Sequence, residues 1–158
     1  MELLKSEFAN RLIDGIVLSK REIRIFTYVL SFHFFRNSSK STQVYLSLAD
    51  AKRRGVDIRV IVDSPKRNRP NFNVNNFAVR KLIDVDIPVR MPAGGRTGHA
   101  KLAVFDNLFA ILGSHNITDS SFKNPFELSV IVTEPELVKN CIEWFDVIWS
   151  RKTEDWGW

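Results

Sequence analysis

GHAKLAVFDNLFAILGSHN, residues Gly98–Asn116, is the stretch whose reading decides the fold of this chain. His99 and Lys101 stand at the head of an apolar run. Burying an imidazole and an ammonium among Leu, Val and Phe is costly unless they are paired or reach water. Residues two apart on a strand point to one face, about 6.6 Å apart, so His99 and Lys101 project together. Asp106-Asn107 is a turn signal, and Phe109–Leu112 reads as the returning strand of an antiparallel hairpin. A turn centred on Asp106-Asn107 or on Asn107-Leu108 puts Ser114 and Asn116 on the face of His99 and Lys101. The second register sets His99 opposite Asn116 and Lys101 opposite Ser114. Gly113 permits a close backbone approach at the strand end, and His115, between Ser114 and Asn116, points to the other face.

The remaining elements are read outward from this hairpin. Leu4, Phe8, Leu12 and Ile16 recur every four residues and predict a first amphipathic helix. Glu22–Phe35, rich in β-branched and aromatic residues, reads as a buried strand. After a polar loop, Val44, Leu48 and Ala51 mark a second helix that Gly55 terminates. Asp57–Asp63 is a further strand, and Ser64–Asn73 a long basic loop. A short helix through Phe77 and Leu82 precedes a strand ending near Val89, and Pro92–Gly98 is a glycine-rich connector. Three strands, His99–Phe105, Phe109–Leu112 and Phe126–Thr133, then lie side by side. Thr133 and Glu136 form a T-x-x-E capping box for a last helix, whose stripe is Leu137, Cys141, Trp144 and Ile148 beside Val138, Ile142, Phe145 and Trp149. Strands alternating with helices give an α/β fold, a mixed β-sheet flanked by helices on both faces. No repeat or boundary interrupts it, so residues 1–158 are expected to form a single domain.

A hydrophobic fraction of 44% and a charged fraction of 26% are ordinary for a soluble globular protein. A net charge of +5 favours an acidic partner such as nucleic acid or phospholipid head groups. A lone Cys141 excludes an intrachain disulfide and a cysteine-rich metal site. The N-terminus is punctuated by Glu2, Lys5, Glu7, Arg11 and Asp14 and has no apolar core of signal-peptide length. Without a membrane-spanning stretch, the expected location is the cytoplasm, with no membrane anchor.

The hairpin face offers an imidazole, a fixed positive charge, a hydroxyl and an amide. Lys, Ser and Asn can donate to non-bridging phosphate oxygens as charge grows on them. A neutral imidazole can attack phosphorus or accept a proton. A metal site from His99, Asp106 and Glu127 is disfavoured, because strand parity points Asp106 away and Lys101 repels a cation.

His99-x-Lys101-x4-Asp106-x6-Gly113-Ser114-x-Asn116 resembles the HKD signature of the phospholipase D superfamily, with every spacing kept. Six specified residues at fixed offsets arise by chance on the order of once in a million chains of this length. Glu127, in Asn124-Pro125-Phe126-Glu127, stands at the separation where the superfamily has a glutamate that holds the histidine. SLADAKRRGVDIRVIVD, residues 47–63, resembles the helix-then-strand unit ahead of the motif.

The resemblance implies one phospholipase D-like (HKD) domain and a phosphodiesterase that needs no metal or other cofactor. His99 would be the nucleophile, forming a phosphohistidine. Lys101 and Asn116, with Ser114 in support, would hold the phosphoryl oxygens. Glu127 would orient the His99 imidazole through its other ring nitrogen, and Asp106 and Gly113 would be structural. A second histidine is required to protonate the leaving group and activate water. The chain has one H-x-K, and neither His33 nor His115 can supply the second. A homodimer with a composite active site follows, each copy contributing one His99.

Small single-motif members resemble the bacterial Nuc-type endonucleases, which cut DNA or RNA with little sequence preference. Lys66, Arg67 and Arg69 in one loop, with Arg90 and Arg96 near the motif, are candidate contacts to a nucleic-acid backbone. Phe72 and Trp156 are aromatic but read first as packing. The alternatives are a lipid phosphodiesterase or transphosphatidylase, and a catalytically silent nucleic-acid-binding dimer.

Overall fold

Ile23, Ile25, Val60 and Val62 alternate with Phe26 and Ile61, so the central strands are apolar on both faces and need a helical layer on each. The computed structural model describes residues 1–35, 39–64 and 71–157 and supplies both layers. In chain order the elements are β1 Glu2–Leu4, α1 Phe8–Leu18, β2 Glu22–Thr27, α2 Lys40–Arg53, β3 Asp57–Val62, α3 Asn71–Ile83 and β4 Val89–Pro92. There follow β5 Leu102–Phe105, β6 Phe109–Gly113, α4 Asp119–Phe122, β7 Ser129–Val132, α5 Pro135–Arg151 and β8 Thr153–Asp155. One eight-stranded sheet has the order β1-β7-β6-β5-β2-β3-β4-β8. β2, β3 and β4 are parallel, and every other pairing is antiparallel.

Leu12 and Ile16 of α1, Val44 and Leu48 of α2, and Val79 and Leu82 of α3 pack against Ile23, Ile25, Ala103, Phe105 and Ile111. The opposite face carries Phe26, Leu102, Val104 and Ala110 against Val138 and Phe145 of α5. That face is also polar at one end. The buried Arg24 guanidinium bonds the Asp146 carboxylate of α5 at 2.9 and 3.1 Å and pairs with Glu22 at 2.9 Å. Two carboxylates thus compensate a charge taken out of water.

The hairpin differs from both expected registers. Phe105 pairs with Phe109, so the loop has three residues, Asp106–Leu108, centred on Asn107. Asp106 and Asn107 adopt positive φ of 50° and 61°, which Asp and Asn tolerate better than bulkier residues. What selects this loop is the Asp106 carboxylate. It accepts backbone N–H bonds from Lys20, Arg21 and Glu22 at 2.7, 2.8 and 2.9 Å, tying the hairpin to the start of β2.

Burial opposes ionisation of Asp106, but these backbone donors and the nearby Arg21 outweigh it and hold its carboxyl below the usual range. A depressed folded-state value contributes stability that is present above the unfolded value and is lost as pH falls through the folded one. Asp106→Ala is expected to destabilise the fold by about 3 kcal/mol, since buried N–H donors lose a charged acceptor. Asp106→Asn should flatten the acid limb of the stability–pH curve measured by urea unfolding.

Other expectations need correction. Residues 2–4 form an edge strand on β7, so Leu4 is not part of the first helix. The strand from Glu22 stops at Thr27, because Tyr28–Ser31 leaves the sheet to run beside Asn116 and Ile117. β5 begins at Leu102, leaving His99 and Lys101 outside the strand, and β7 begins at Ser129 rather than Phe126. The cap of α5 is Glu134 with Pro135 at the first turn; no side chain closes a capping box from Thr133. On α5, Val138 and Phe145 are buried while Leu137 and Trp144 are about 45% and 44% exposed. The C-terminal Thr153–Asp155 adds a strand to β4, and the buried Trp156 donates to Asn76 Oδ1 at 3.2 Å.

Candidate active site

Strand polarity gathers the motif. The parallel strands β2 and β3 end at Thr27 and Val62. β5 is antiparallel to β2, so the residues before it lie at that same end. So do the residues after β6 and those before β7. His99 and Lys101 precede β5, Ser114 and Asn116 follow β6, Glu127 precedes β7, and Tyr28 and Asp63 follow β2 and β3. Loops at the carboxyl ends of parallel strands are where open α/β sheets place their ligands. Asp106 lies at the other end of β5, away from His99. Among the described residues, no three His, Cys, Asp or Glu side chains gather as metal ligands.

His99 is exposed and its ring centroid lies 4.6 Å from that of Tyr28. Lys101 Nζ donates to the His99 carbonyl at 2.7 Å, sits 3.1 Å from each ring nitrogen of His99, and lies 5.2 Å over the Tyr28 ring. Burial pushes the Lys101 ammonium below its ordinary value, and attraction from Glu127 and Asp63 partly opposes that. The arrangement presents one fixed cation directly against one imidazole, with an aromatic wall behind both.

Ser114 and Asn116 arrive by loop geometry, not strand register. With β6 ending at Gly113, Lys101 faces Gly113, whose N–H donates to the Lys101 carbonyl at 3.3 Å. A Cβ on Gly113 would overlap the Leu128 carbonyl and Ser129, so only glycine lets β6 and β7 close here. Ser114 then bonds Leu128 three times: N–H to carbonyl at 2.9 Å, Oγ accepting from the Leu128 N–H at 2.9 Å, and the hydroxyl donating to the Leu128 carbonyl at 3.3 Å. Asn116 N–H donates to Ser121 Oγ at 2.9 Å, and Asn116 Oδ1 accepts from the N–H of Val29, next to Tyr28, at 3.0 Å. Its amide nitrogen is thereby the end left free among the described residues.

Glu127 is half-buried and accepts from Ser121 Oγ at 3.4 Å. It is therefore joined to Asn116 through one hydroxyl, while the ring of His99 has Lys101 and Tyr28 as its neighbours. His115 turns into the core, stacked on Phe8 at 4.3 Å with Nδ1 2.8 Å from Ser129 Oγ. Burial pushes its pKa down, partly opposed by Glu127 and a backbone hydrogen bond.

Three supporting residues carry weak sequence signals. Asp63 Oδ1 accepts the N–H of Gly98 at 2.6 Å and so anchors the residue before His99. A carboxylate directly after an apolar strand is the only hint of it. Asn75, fully buried, accepts from Leu30 N–H at 2.9 Å and donates to the carbonyls of Tyr28 and Asp63 at 3.0 and 2.7 Å. It ties together the loops that hold the site. Tyr28 stood within an expected strand and gave no signal.

Two grooves adjoin the His99–Lys101 segment. One, of about 600 Å³, is lined by Arg96, Thr97, His99, Trp144, Arg151 and Lys152 among others. The second, of about 570 Å³, is apolar and runs past Lys101 between Leu112, Leu137, Cys141 and Trp144. Arg90 is half-buried elsewhere, with Nη1 donating to the Trp149 carbonyl at 2.9 Å and Nε 3.4 Å from Asp155. Lys66, Arg67 and Arg69 lie outside the described residues. Among the described residues no helix is long and apolar enough to cross a membrane.

Comparison with known proteins places this geometry. Solved structures sharing the fold include Nuc of Salmonella typhimurium, a phospholipase D family member, with a TM-score of 0.75 and 23% identity over 93% of this chain and 89% of that one. NucT of Helicobacter pylori also has a TM-score of 0.75, at 16% identity over 98% and 97% of the two chains. Phospholipase D Z of Dictyostelium discoideum is 29% identical over 120 residues, which are 72% of this chain but only 28% of that relative. Residues 12–149 match the family described as cardiolipin synthase, PLD-like domain, and that span takes in β2 through β7 and every motif residue from His99 to Glu127. The chain therefore belongs to the phospholipase D-like family.

Proposed function

We propose that the protein is a metal-independent phosphodiesterase, an endonuclease cutting DNA or RNA through a phosphohistidine at a site shared by two subunits. The observation that carries this reading is the contact of His99 with Lys101 at the sheet end where Asn116 and Glu127 also stand. An imidazole nitrogen of His99 attacks phosphorus, and the bond to the leaving oxygen breaks. The second subunit's imidazole, protonated at the outset, gives that oxygen its proton. The same imidazole then takes a proton from water, which attacks the phosphohistidine and releases His99. Lys101 and the free amide nitrogen of Asn116 donate to the non-bridging oxygens, where negative charge grows.

The second His99 comes from a twin chain, because His115 is walled in and His33 is held against α2, its N–H donating to Thr42 Oγ1. The apolar groove past Lys101, with Leu137 and Trp144 half-exposed, supports a second copy meeting this face. A net charge of +5 and the Arg96, Arg151 and Lys152 side chains flanking His99 suit a polyanion that continues beyond the scissile phosphate.

The test is a substrate panel in EDTA: plasmid, single-stranded DNA, RNA, and phosphatidylcholine or cardiolipin vesicles, each with wild type and His99→Ala. Nucleic-acid cleavage that persists in chelator, disappears in the variant and leaves an acid-labile phosphohistidine is expected. Its pH–rate profile should be bell-shaped, since one imidazole works neutral and the other protonated. Turnover of lipid alone, or cleavage only with divalent ions, would refute the proposal.

A further inference from the structure

A third cavity borders Asn116 and Glu127. It encloses about 340 Å³ and is lined by Asn71, Asn116, Thr118, Ser120, Asn124 and Glu127, with Val29 as its apolar wall. Its polar groups among the described residues are mostly neutral, and the Glu127 carboxylate would repel a second phosphate. The groups present are amides, hydroxyls and one carboxylate, which together offer both donors and acceptors.

Their existing bonds show which ends are available. Asn124 Oδ1 accepts from the Phe126 N–H at 3.1 Å, so its free end is the NH2. Asn116 is oriented in the same sense by Val29. Ser120 Oγ lies 3.0 Å from Thr118 Oγ1, which accepts from the Ser121 N–H. The Asn71 amide, on the first residue of α3, has no hydrogen-bond partner among the described residues. Such a set fits the edge of a heterocycle or a sugar hydroxyl, with Val29 against the flat or apolar face.

We propose that this cleft seats the nucleoside attached to the scissile phosphate, and that the enzyme consequently cuts unpaired strands in preference to duplex. The inference rests on the nuclease reading above. Asn116 belongs to both places: it holds the phosphoryl group on one side and borders the cleft on the other. A base that enters a recess beside its own phosphate must leave its stack and its partner. In a loop or single strand that cost is already small; in a duplex it is not.

The experiment compares three substrates: a single-stranded oligonucleotide, the same strand in duplex, and bis(4-nitrophenyl) phosphate, which carries no nucleoside. Wild type should cut the single strand at least about tenfold faster than the duplex. Asn71→Ala should lower kcat/KM on the single strand about five- to tenfold, mainly through KM, as expected for the loss of a neutral hydrogen bond. On the chromogenic diester the same variant should lose no more than about twofold, which also verifies that it folds. Ser120→Ala, on the exposed rim, should act in the same direction.

Equal cutting of duplex and single strand by wild type overturns the proposal. So does an Asn71→Ala enzyme that matches wild type on the oligonucleotide. If wild type hydrolyses the chromogenic diester or vesicle lipid but neither nucleic acid, the nuclease reading fails and the nucleoside cleft falls with it. That result is distinct from a working nuclease that ignores Asn71.

Discussion

Mixed dimers of one wild-type chain and one His99→Ala chain are expected to be inactive. In the proposed shared site, nucleophile and general acid are the same residue in the two copies, so losing either one removes a chemical step. With co-expressed, differently tagged chains in equal amounts, only the wild-type pairs turn over, about a quarter of all dimers under random assembly. Activity should therefore follow the square of the wild-type fraction. The pure variant should lose about a thousandfold or more of kcat, because it has neither a nucleophile nor a proton donor. Its fold should survive, since the His99 side chain is exposed and among the described residues contacts Tyr28 and Lys101. A linear dependence on the wild-type fraction would mean that each subunit holds a complete site, and the shared-site proposal would be wrong.

The second large effect is at Lys101. Lys101→Ala is expected to lower kcat about a hundredfold or more while KM changes little, because in the proposed mechanism its ammonium acts on charge that develops only as the phosphoryl group transfers. Lys101 also donates to the His99 carbonyl and abuts both ring nitrogens, so its loss frees the imidazole to rotate. Lys101→Arg should rescue poorly, since a planar guanidinium cannot take the compact position over Tyr28. The opposite pattern, a much higher KM with kcat preserved, would make Lys101 a binding group alone.

The chain's own residues made much of this legible. The spacing from His99 to Asn116 is local chemistry and survives any detail of packing. Asp57–Val62 and the helix before it follow from apolar periodicity and from Gly55, whose φ of +89° ends the turn after α2. Other features depend on what lies across the molecule. Thr27 ends β2 because Asn116 and Asn75 capture the N–H groups of Val29 and Leu30, and nothing near Tyr28 in sequence announces that. The hairpin centres on Asn107 because Asp106 has three backbone donors waiting at residues 20–22, more than eighty positions away.

What the sequence by itself determined was the motif and the alternation of strand with helix. Both rest on interactions between residues close along the chain. What only the tertiary structure decided was how the motif is assembled: Lys101 against His99, Asn116 reaching in from a loop, Glu127 joined to it through Ser121, and Asp63 and Asn75 bracing the ends of β2 and β3. Several of those contacts satisfy backbone groups left over where strands stop. Which side chain satisfies such a group depends on what the folded chain brings near, and no local pattern records it.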